Sequence, residues 1–215
     1  MKTDIQIQKD VMEELKWDPS LNAAEIGVTV KNGIVTLSGQ VNSYAKKMAA
    51  EKDVKKISGV KAVAEDIQLR VFPSFQKSDS EIAEAVLNAL KWNSNIQEEK
   101  IKIKVENGVV QLEGEVEWEY QRTNVKSTIE NLTGVKSVLN LITIKPKLTA
   151  SGVHQKIIEA LYRSATVDAE NIIVQTIGSK VVLSGKVRSL AEKEDAELAA
   201  WNAPGVISVE NDLRI

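Results

Sequence analysis

The sequence contains no cysteine and a single histidine, His154, among its 215 residues. Without cysteine the chain can form neither disulfides nor a thiolate nucleophile, and the usual zinc and iron–sulfur ligands are missing. A lone histidine has no second imidazole with which to share a metal ion or a proton. We therefore expect no enzyme activity, no metal and no cofactor, and we interpret His154 as a surface residue.

Strong charge and long apolar runs are also absent. The formal net charge is −2, whereas nucleic-acid binding normally needs a basic surface, so nucleic acid is not expected as a partner. No apolar run approaches the roughly 18 residues that span a bilayer, and the first segment, MKTDIQIQKDVMEELKW, predicts an amphipathic helix rather than a leader. As written, the sequence predicts a cytoplasmic protein, or a periplasmic one if a leader has been removed.

The sequence does contain one phrase three times: NGIVTLSGQV, NGVVQLEGEV and GSKVVLSGKV. Two sets of glycines recur with the same offsets of 75 and 71 residues, namely Gly39, Gly114 and Gly185, and Gly59, Gly134 and Gly205. A period of this length is that of a domain rather than of a solenoid repeat. We predict three domains, at 3–71, 78–146 and 149–215, joined by the linkers RVFPSFQKSDS and KPKLTASG.

Each copy has the same predicted order of elements. An apolar stripe at helical spacing, as in Ile7, Val11 and Leu15, comes first. Period-two alternation on either side of a tight turn then predicts a hairpin, and a second helix and a last strand follow. The order predicts an α+β fold of three tandem small α-β-β-α-β domains, each a three-stranded mixed sheet with two helices on one face.

The recurring glycines are interpreted as framework positions. A glycine inside the second strand, as at Gly39, indicates a bulge or a close approach of backbone from a helix, and a ligand approaching the glycine is the alternative. The second set, which includes Gly59, is typical of a left-handed position after a helix.

Two motifs resemble the bacterial osmotically-inducible-and-nodulation domain, the BON domain. They are the V-x-L-x-G-x-V phrases around Gly39, Gly114 and Gly185 and the G-V-x-x-V phrases that begin at Gly59, Gly134 and Gly205. The resemblance covers nearly the whole chain, three times over. It implies attachment to phospholipid or envelope surfaces, a role in osmotic or general stress tolerance, often in the periplasm, and no enzyme activity.

A basic run lies in the second helix of the first copy. Its residues are Lys46, Lys47, Lys52, Lys55 and Lys56, and together with Glu51 and Asp53 they give a local charge of +3. The matching helix of the third copy has a local charge of −3 from Lys193 and four acidic residues. Helical spacing places Lys52, Lys55 and Lys56 on the side facing solvent. These lysines are either an ordinary solvated face or a contact for anionic lipid.

Two other groups of residues have alternative interpretations. Trp17 and Trp92 occupy equivalent places after the first helices, where packing between domains is favoured over insertion into a membrane interface. The run Glu113, Glu115, Glu117 and Glu119 alternates along the end of a strand, so the four side chains are expected to share one face. We favour a solvated sheet face over a calcium site there, because no calcium-loop spacing accompanies the run.

Two hypotheses for function remain. In the first, the chain is a non-enzymatic BON-type binding module that engages an anionic phospholipid membrane or an envelope surface, with the first copy as the contact. In the second, it is a soluble stress protein that self-associates or holds other proteins, as a scaffold or chaperone would.

Overall fold

The computed structural model describes residues 2–70, 76–93, 98–145 and 152–215. Parts of both predicted linkers, at 71–75 and 146–151, lie outside the described residues. The described part of the chain contains six α-helices and nine strands, arranged as three copies of one helix-strand-strand-helix-strand unit, here called repeats 1, 2 and 3. The predicted fold class is confirmed.

The bounds of the elements are as follows. Repeat 1 contains α1 Asp4–Trp17, β1 Ile26–Lys31, β2 Ile34–Val41, α2 Tyr44–Lys56 and β3 Ala62–Leu69. Repeat 2 contains α3 Asp79–Lys91, β4 Ile101–Glu106, β5 Val109–Val116, α4 Glu119–Glu130 and β6 Ser137–Ile144. Repeat 3 contains α5 Val153–Arg163, β7 Ile172–Ile177, β8 Lys180–Lys186, α6 Leu190–Trp201 and β9 Ser208–Arg214.

Each repeat forms its own three-stranded sheet, in which the second strand is central. The first two strands pair antiparallel in every repeat. The third strand returns through a helix and pairs parallel with the second, as β6 does with β5 and β9 with β8. In repeat 1, hydrogen bonds from Lys61 N to Gly33 O and from Arg70 N to Val41 O flank the β2 and β3 pair in the same way. The sheets are therefore mixed.

Apolar residues at helical and strand spacing make the core of each repeat. The stripe of the first helix is buried in all three copies, and the central strand contributes a Val and a Leu that are fully buried, such as Val35 and Leu37. Side chains on the opposite face of each strand are exposed or half-buried. The helices therefore cover one face of the sheet and leave the other face open.

The strand glycines are places of close backbone approach. Gly185 has φ of +127°, and a Cβ there would overlap the carbonyl oxygen of Asn171, the last residue of a short 3-10 helix before β7. Gly39 and Gly114 meet the carbonyls of Glu25 and Lys100 in the same way. The pairing register passes through all three glycines without an inserted residue. The close approach predicted for these glycines is thus present, and the bulge is not.

The second set of glycines lies in the turns that follow the second helices. Gly59, Gly134 and Gly205 have φ between +86° and +94°. Each is the third residue of a turn that the next valine closes by donating its N–H to a carbonyl three residues earlier, as Val60 does to Ile57. Such a turn position requires positive φ, which glycine adopts without steric cost.

The chain forms two compact units, so the three repeats are not three separate compact bodies. One contains Met1–Gly39, Ala49–Ile67 and Pro146–Ile215, so that it joins most of repeat 1 to repeat 3. The other contains Gln40–Met48 and Gln68–Lys145. In that unit Tyr44, at the start of α2, is buried in the same apolar cluster as the core of repeat 2, and Met48 and Leu69 pack against it.

Candidate functional site

The five candidate lysines lie on α2 of repeat 1. This helix buries Ala50 and Val54 against the sheet, and that burial fixes which of its sides face outward. Lys52 and Lys56 are exposed, and Lys46 and Lys47 are half-buried. Neither Lys46 nor Lys52 forms an ion pair with any residue that the structure describes.

The helical spacing predicts that Lys55 faces solvent, but the structure covers most of its side chain. Its side chain is only 24% exposed, and its Nζ lies 2.7 Å from Glu51 Oε1 and 2.7 Å from Glu194 Oε1 on α6 of repeat 3. Burial opposes the charge on Lys55, but the hydrogen bonds to Glu194 and Glu51 outweigh it and raise the pKa of the ammonium group. Lys55 is therefore a charged contact between repeats 1 and 3.

Lys56 is surrounded by carboxylates of its own repeat. Its Nζ lies 2.7 Å from Asp53 Oδ1 and 3.4 Å from Glu14 Oε1 on α1. Burial raises the pKa of Asp53 above its ordinary value although Lys56 acts in the opposite direction, and the neighbouring carboxylate of Asp18 adds to the rise. Hydrogen bonds from Ser20 lower the pKa of Asp18. Where α1 and α2 meet, the ammonium group of Lys56 thus lies near the carboxyl groups of Asp53 and Asp18, whose pKa values are shifted in opposite directions.

The equivalent place in repeat 2 has no charge. There Asn93 Nδ2 donates to Thr128 Oγ1 over 3.2 Å, at the positions that match Asp18 and Asp53. The fold therefore does not require the carboxyl pair, and the sequence of repeat 1 alone places it beside Lys56.

Both tryptophans expected to pack between domains are exposed. Trp17 is 85% exposed and Trp92 is 87% exposed, so the expectation of packing is wrong for these two side chains. Each lies at the end of its helix, beyond the last buried position, Leu15 or Leu90, and so outside the core. Trp17 follows Glu14 by three residues, which places both on one side of α1, and Glu14 contacts Lys56.

The glutamate run does not share one face. The strand β5 ends at Val116, and Glu119 instead begins α4, where it is buried and pairs with Arg122 at 2.7 Å. Glu115 pairs with Lys145 at 3.1 Å. The glutamates thus continue to alternate in the sequence beyond Val116, where the strand ends. In the described part of the chain, no group of three or more acidic or histidine residues could hold a metal ion.

The remaining predicted positions are simple to place. His154 lies on the exposed side of α5. The six framework glycines lie in the central strands and in the turns after the second helices, and the role of the five lysines in binding stays a prediction. Among the residues described, no helix combines the length and apolar character needed to cross a membrane.

Sequence reasoning missed the partner of the lysine face. Glu194 and Asp195 of α6 line the same cleft as Lys52 and Lys56, a cleft of about 530 Å³. The opposite local charges of the two helices, +3 and −3, were the signal that could have suggested this contact. With Glu14 and Glu194 included, the local charge around the lysines falls from +3 to +1.

Fold and site together define a protein of three small α+β repeats with charged helical faces. A family model described as the BON domain matches residues 3–71, 78–146 and 150–215. The chain belongs to the BON domain family.

The chain is similar to one curated protein and to several solved structures. Osmotically-inducible protein Y of Escherichia coli is 27% identical over 146 residues, which cover 66% of this chain and 73% of the relative. Two structures of CdsD, a structural protein of the type III secretion system of Chlamydia trachomatis, align at 17% identity with TM-scores of 0.28 and 0.27. They cover 95% and 99% of this chain and 90% and 98% of CdsD, and at such scores the likeness says nothing about function.

Proposed function

We propose that this chain is a non-enzymatic binding protein that attaches to anionic phospholipid surfaces through repeat 1 as part of an osmotic or general stress response. The contact consists of the lysine face, defined as Lys46, Lys47, Lys52, Lys55 and Lys56, together with the indole of Trp17. The observation that carries this proposal is the exposed Trp17 ring on the side of α1 where Glu14 contacts Lys56.

The chemistry of this surface suits a membrane interface. Lysine ammonium groups are attracted to anionic headgroups, and a tryptophan ring is stable at the level of the headgroups because it is apolar with one polar edge. The stress role is supported by the name of the Escherichia coli relative, which describes that protein as osmotically inducible.

The expected affinity is modest. Each net positive charge near an anionic membrane contributes about 1 kcal/mol, so the local charge of +1 around the lysines gives roughly 1 kcal/mol. Burying the Trp17 ring adds about 2 kcal/mol. The sum corresponds to a dissociation constant on the order of 1 to 10 mM. Binding of this strength becomes useful where several copies or several contacts act together.

Co-sedimentation with phosphatidylcholine vesicles, prepared with and without phosphatidylglycerol, tests the proposal. We expect the intact protein to sediment only with the phosphatidylglycerol vesicles. The variant Lys52→Ala/Lys55→Ala/Lys56→Ala should lose most of this binding. A matched variant, Lys102→Ala/Lys104→Ala/Lys136→Ala, removes the same charge from repeat 2 and should bind as the unmodified protein does. If neither the intact protein nor the first variant depends on phosphatidylglycerol, the lipid role is excluded.

A second candidate function is protein contact or self-association. The open sheet face of repeat 2 favours it, because Leu139 and Leu141 on β6 are half exposed there. They pair with Gln111 and Glu113 of β5, so the apolar strip has a polar border. Sedimentation velocity over a range of concentrations tests this function. A strict monomer that also fails to delay aggregation of other proteins would exclude it, whereas an oligomer that Leu139→Lys dissociates would support it.

The cellular location also belongs to the proposal. A cytoplasmic protein would meet the inner leaflet of the cell membrane, and a periplasmic one the envelope. Fractionation of the untagged protein in its native cell distinguishes these two sites of action.

A further inference from the structure

The lysine face of repeat 1 already has an acidic neighbour within the chain. An ion pair and a hydrogen bond join repeat 1 to repeat 3 in the compact unit that they share. Lys55 Nζ lies 2.7 Å from Glu194 Oε1, and Gly59 N donates to Arg188 O over 3.4 Å. The first contact comes from the last turns of α2 and the first turns of α6, and the second from the residues directly outside those helices.

Charged side chains of both signs line the cleft beside these contacts, and on the repeat 3 side they include the cation Arg188. Repeat 1 contributes Lys52, Lys56 and Ser58, and repeat 3 contributes Glu194 and Asp195 among its lining residues. Glu192, also in the lining, is buried and accepts hydrogen bonds from Arg188 N and Arg188 Nε, so it serves repeat 3 itself. Glu194 and Asp195 are exposed, and in contrast to Glu192 they are not needed to hold their own helix in place.

We propose that α6 of repeat 3 masks the lysine face of repeat 1 through Glu194 and Asp195, so that an anionic phospholipid surface must displace repeat 3 in order to bind. This masking rests on the function proposed above. It makes the contact between repeats 1 and 3 an autoinhibitory one, in which carboxylates of the chain occupy the place of the lipid phosphates.

The exposure of the cations fits this role. Lys55 is mostly covered by the contact with Glu194. Of the five lysines of the face, only Lys52 is both exposed and without an ion pair to a described residue. Few charges on the masked face are therefore available to a membrane. Removal of repeat 3 would take Glu194 away from Lys55, which keeps Glu51 as a partner, and would open one side of Lys52 and Lys56. A surface with a higher density of negative charge than two carboxylates would therefore compete successfully.

The contact has properties expected of a displaceable one. Glu194 is more than half exposed, and exposed ion pairs are weak and are screened by salt. A lone peptide hydrogen bond at Gly59 completes the direct contacts that the structure describes between the two repeats near this cleft. No helix or strand needs to unfold for repeat 3 to move away.

The test compares two variants that lose the same charge from repeat 3. Glu194→Gln/Asp195→Asn removes the masking carboxylates. Glu170→Gln/Asp212→Asn removes two exposed carboxylates that do not line the cleft. Binding to phosphatidylglycerol vesicles and amide-proton exchange at Gly59, measured by NMR, are the two readouts. Gly134 occupies the equivalent turn of repeat 2 and serves as the internal reference for exchange.

We expect Glu194→Gln/Asp195→Asn to bind phosphatidylglycerol vesicles roughly tenfold more tightly than the intact protein, since two competing charges are lost. Its Gly59 amide should exchange faster while that of Gly134 is unchanged, and the control should match the intact protein in both measurements. Equal vesicle binding by all three proteins overturns the masking and leaves the lipid function standing. If none of them binds vesicles, the proposed function itself is overturned, and with it the masking of a lipid site.

Discussion

At the scale of single residues, the strand glycines limit the fold most strongly. Gly39, Gly114 and Gly185 each hold a positive φ at a point where the carbonyl of a preceding 3-10 helix leaves no space for a Cβ. An L-residue would meet both the strain of the left-handed region and the overlap with that carbonyl. The backbone alone therefore accounts for a glycine at this position in all three repeats, and no bound ligand is needed to explain it.

Repeat 3 allows these two costs to be separated. Gly185→Ala should lower the free energy of unfolding by about 3 kcal/mol or more, because it adds steric overlap to backbone strain. Gly178→Ala is the matched control, since Gly178 also has positive φ but open space around its Cβ position. It should cost about 1 kcal/mol. Urea unfolding followed by circular dichroism measures both, and equal losses would contradict the close approach.

At the scale of elements, the junction of α1 and α2 is where repeat 1 departs from its copies. Glu14 and Asp18 of α1 meet Asp53 and Lys56 of α2, whereas repeat 2 uses the neutral pair Asn93 and Thr128. Trp17 lies on the same side of α1 as Glu14, which contacts Lys56 at the end of the lysine face. A charged junction, rather than an apolar one, thus forms the edge of the proposed contact surface.

The raised pKa of Asp53 predicts how this junction responds to pH. Between the unfolded pKa of 3.8 and the higher folded value, the folded protein holds a proton that the unfolded chain has released. Stability from this group is therefore greatest at low pH and falls as the pH rises through that window. Asp53→Asn should raise the free energy of unfolding at neutral pH and leave it unchanged below the unfolded pKa.

Urea unfolding at several pH values checks this expectation, with Asp212→Asn as the exposed control. Lys56 keeps Glu14 as a partner in the Asp53 variant, so the substitution does not leave the charge of Lys56 unpaired. A stabilisation of the same size at all pH values would show that ionisation of Asp53 is not its cause.

The sequence was sufficient to predict the elements and their order. The apolar stripe of Ile82, Val86 and Leu90 is buried as its spacing indicates, and Asn107 and Gly108 adopt the two positive φ values of a tight hairpin turn. Local patterns such as these are decided within one repeat, where each residue meets neighbours at a known periodicity. That is why the fold class followed from the sequence.

The contacts between repeats did not follow in the same way. Lys55 has the spacing of a solvent-facing residue, yet Glu194, 139 positions later, covers it. Tyr44 begins a helix of repeat 1 and is buried in the core cluster of repeat 2. The periodicity of one helix indicates which side faces its own sheet, but it contains no information about a partner far along the chain.

At the scale of the whole molecule, repeat 1 contributes residues to the core cluster of repeat 2, and these two repeats are expected to be coupled in stability. Tyr44 is 8% exposed and fills space among the apolar side chains of repeat 2. Tyr44→Ala should cost about 3 kcal/mol, the usual loss for a buried aromatic ring. Slowly exchanging amides of β5 should lose protection by the same amount, although the substitution lies in repeat 1.

The control for this coupling is Tyr162→Ala. Tyr162 is 64% exposed on α5, so its removal should change stability by less than about 0.5 kcal/mol. If Tyr44→Ala left the amide exchange of β5 unchanged, repeat 2 would be independent of repeat 1, and the shared cluster would have no energetic role.

The measurement that tests the lipid function most directly follows the indole of Trp17 at a membrane. A protein whose only tryptophan is Trp17, made with Trp92→Phe, Trp118→Phe and Trp201→Phe, should emit as a water-exposed indole in solution, because that ring is almost fully exposed. With phosphatidylglycerol vesicles that contain brominated lipid, the emission should shift to shorter wavelength and be quenched. A protein whose only tryptophan is Trp92 should respond less, since the lysine face is in repeat 1. Unchanged emission from Trp17 in these vesicles would contradict attachment through repeat 1.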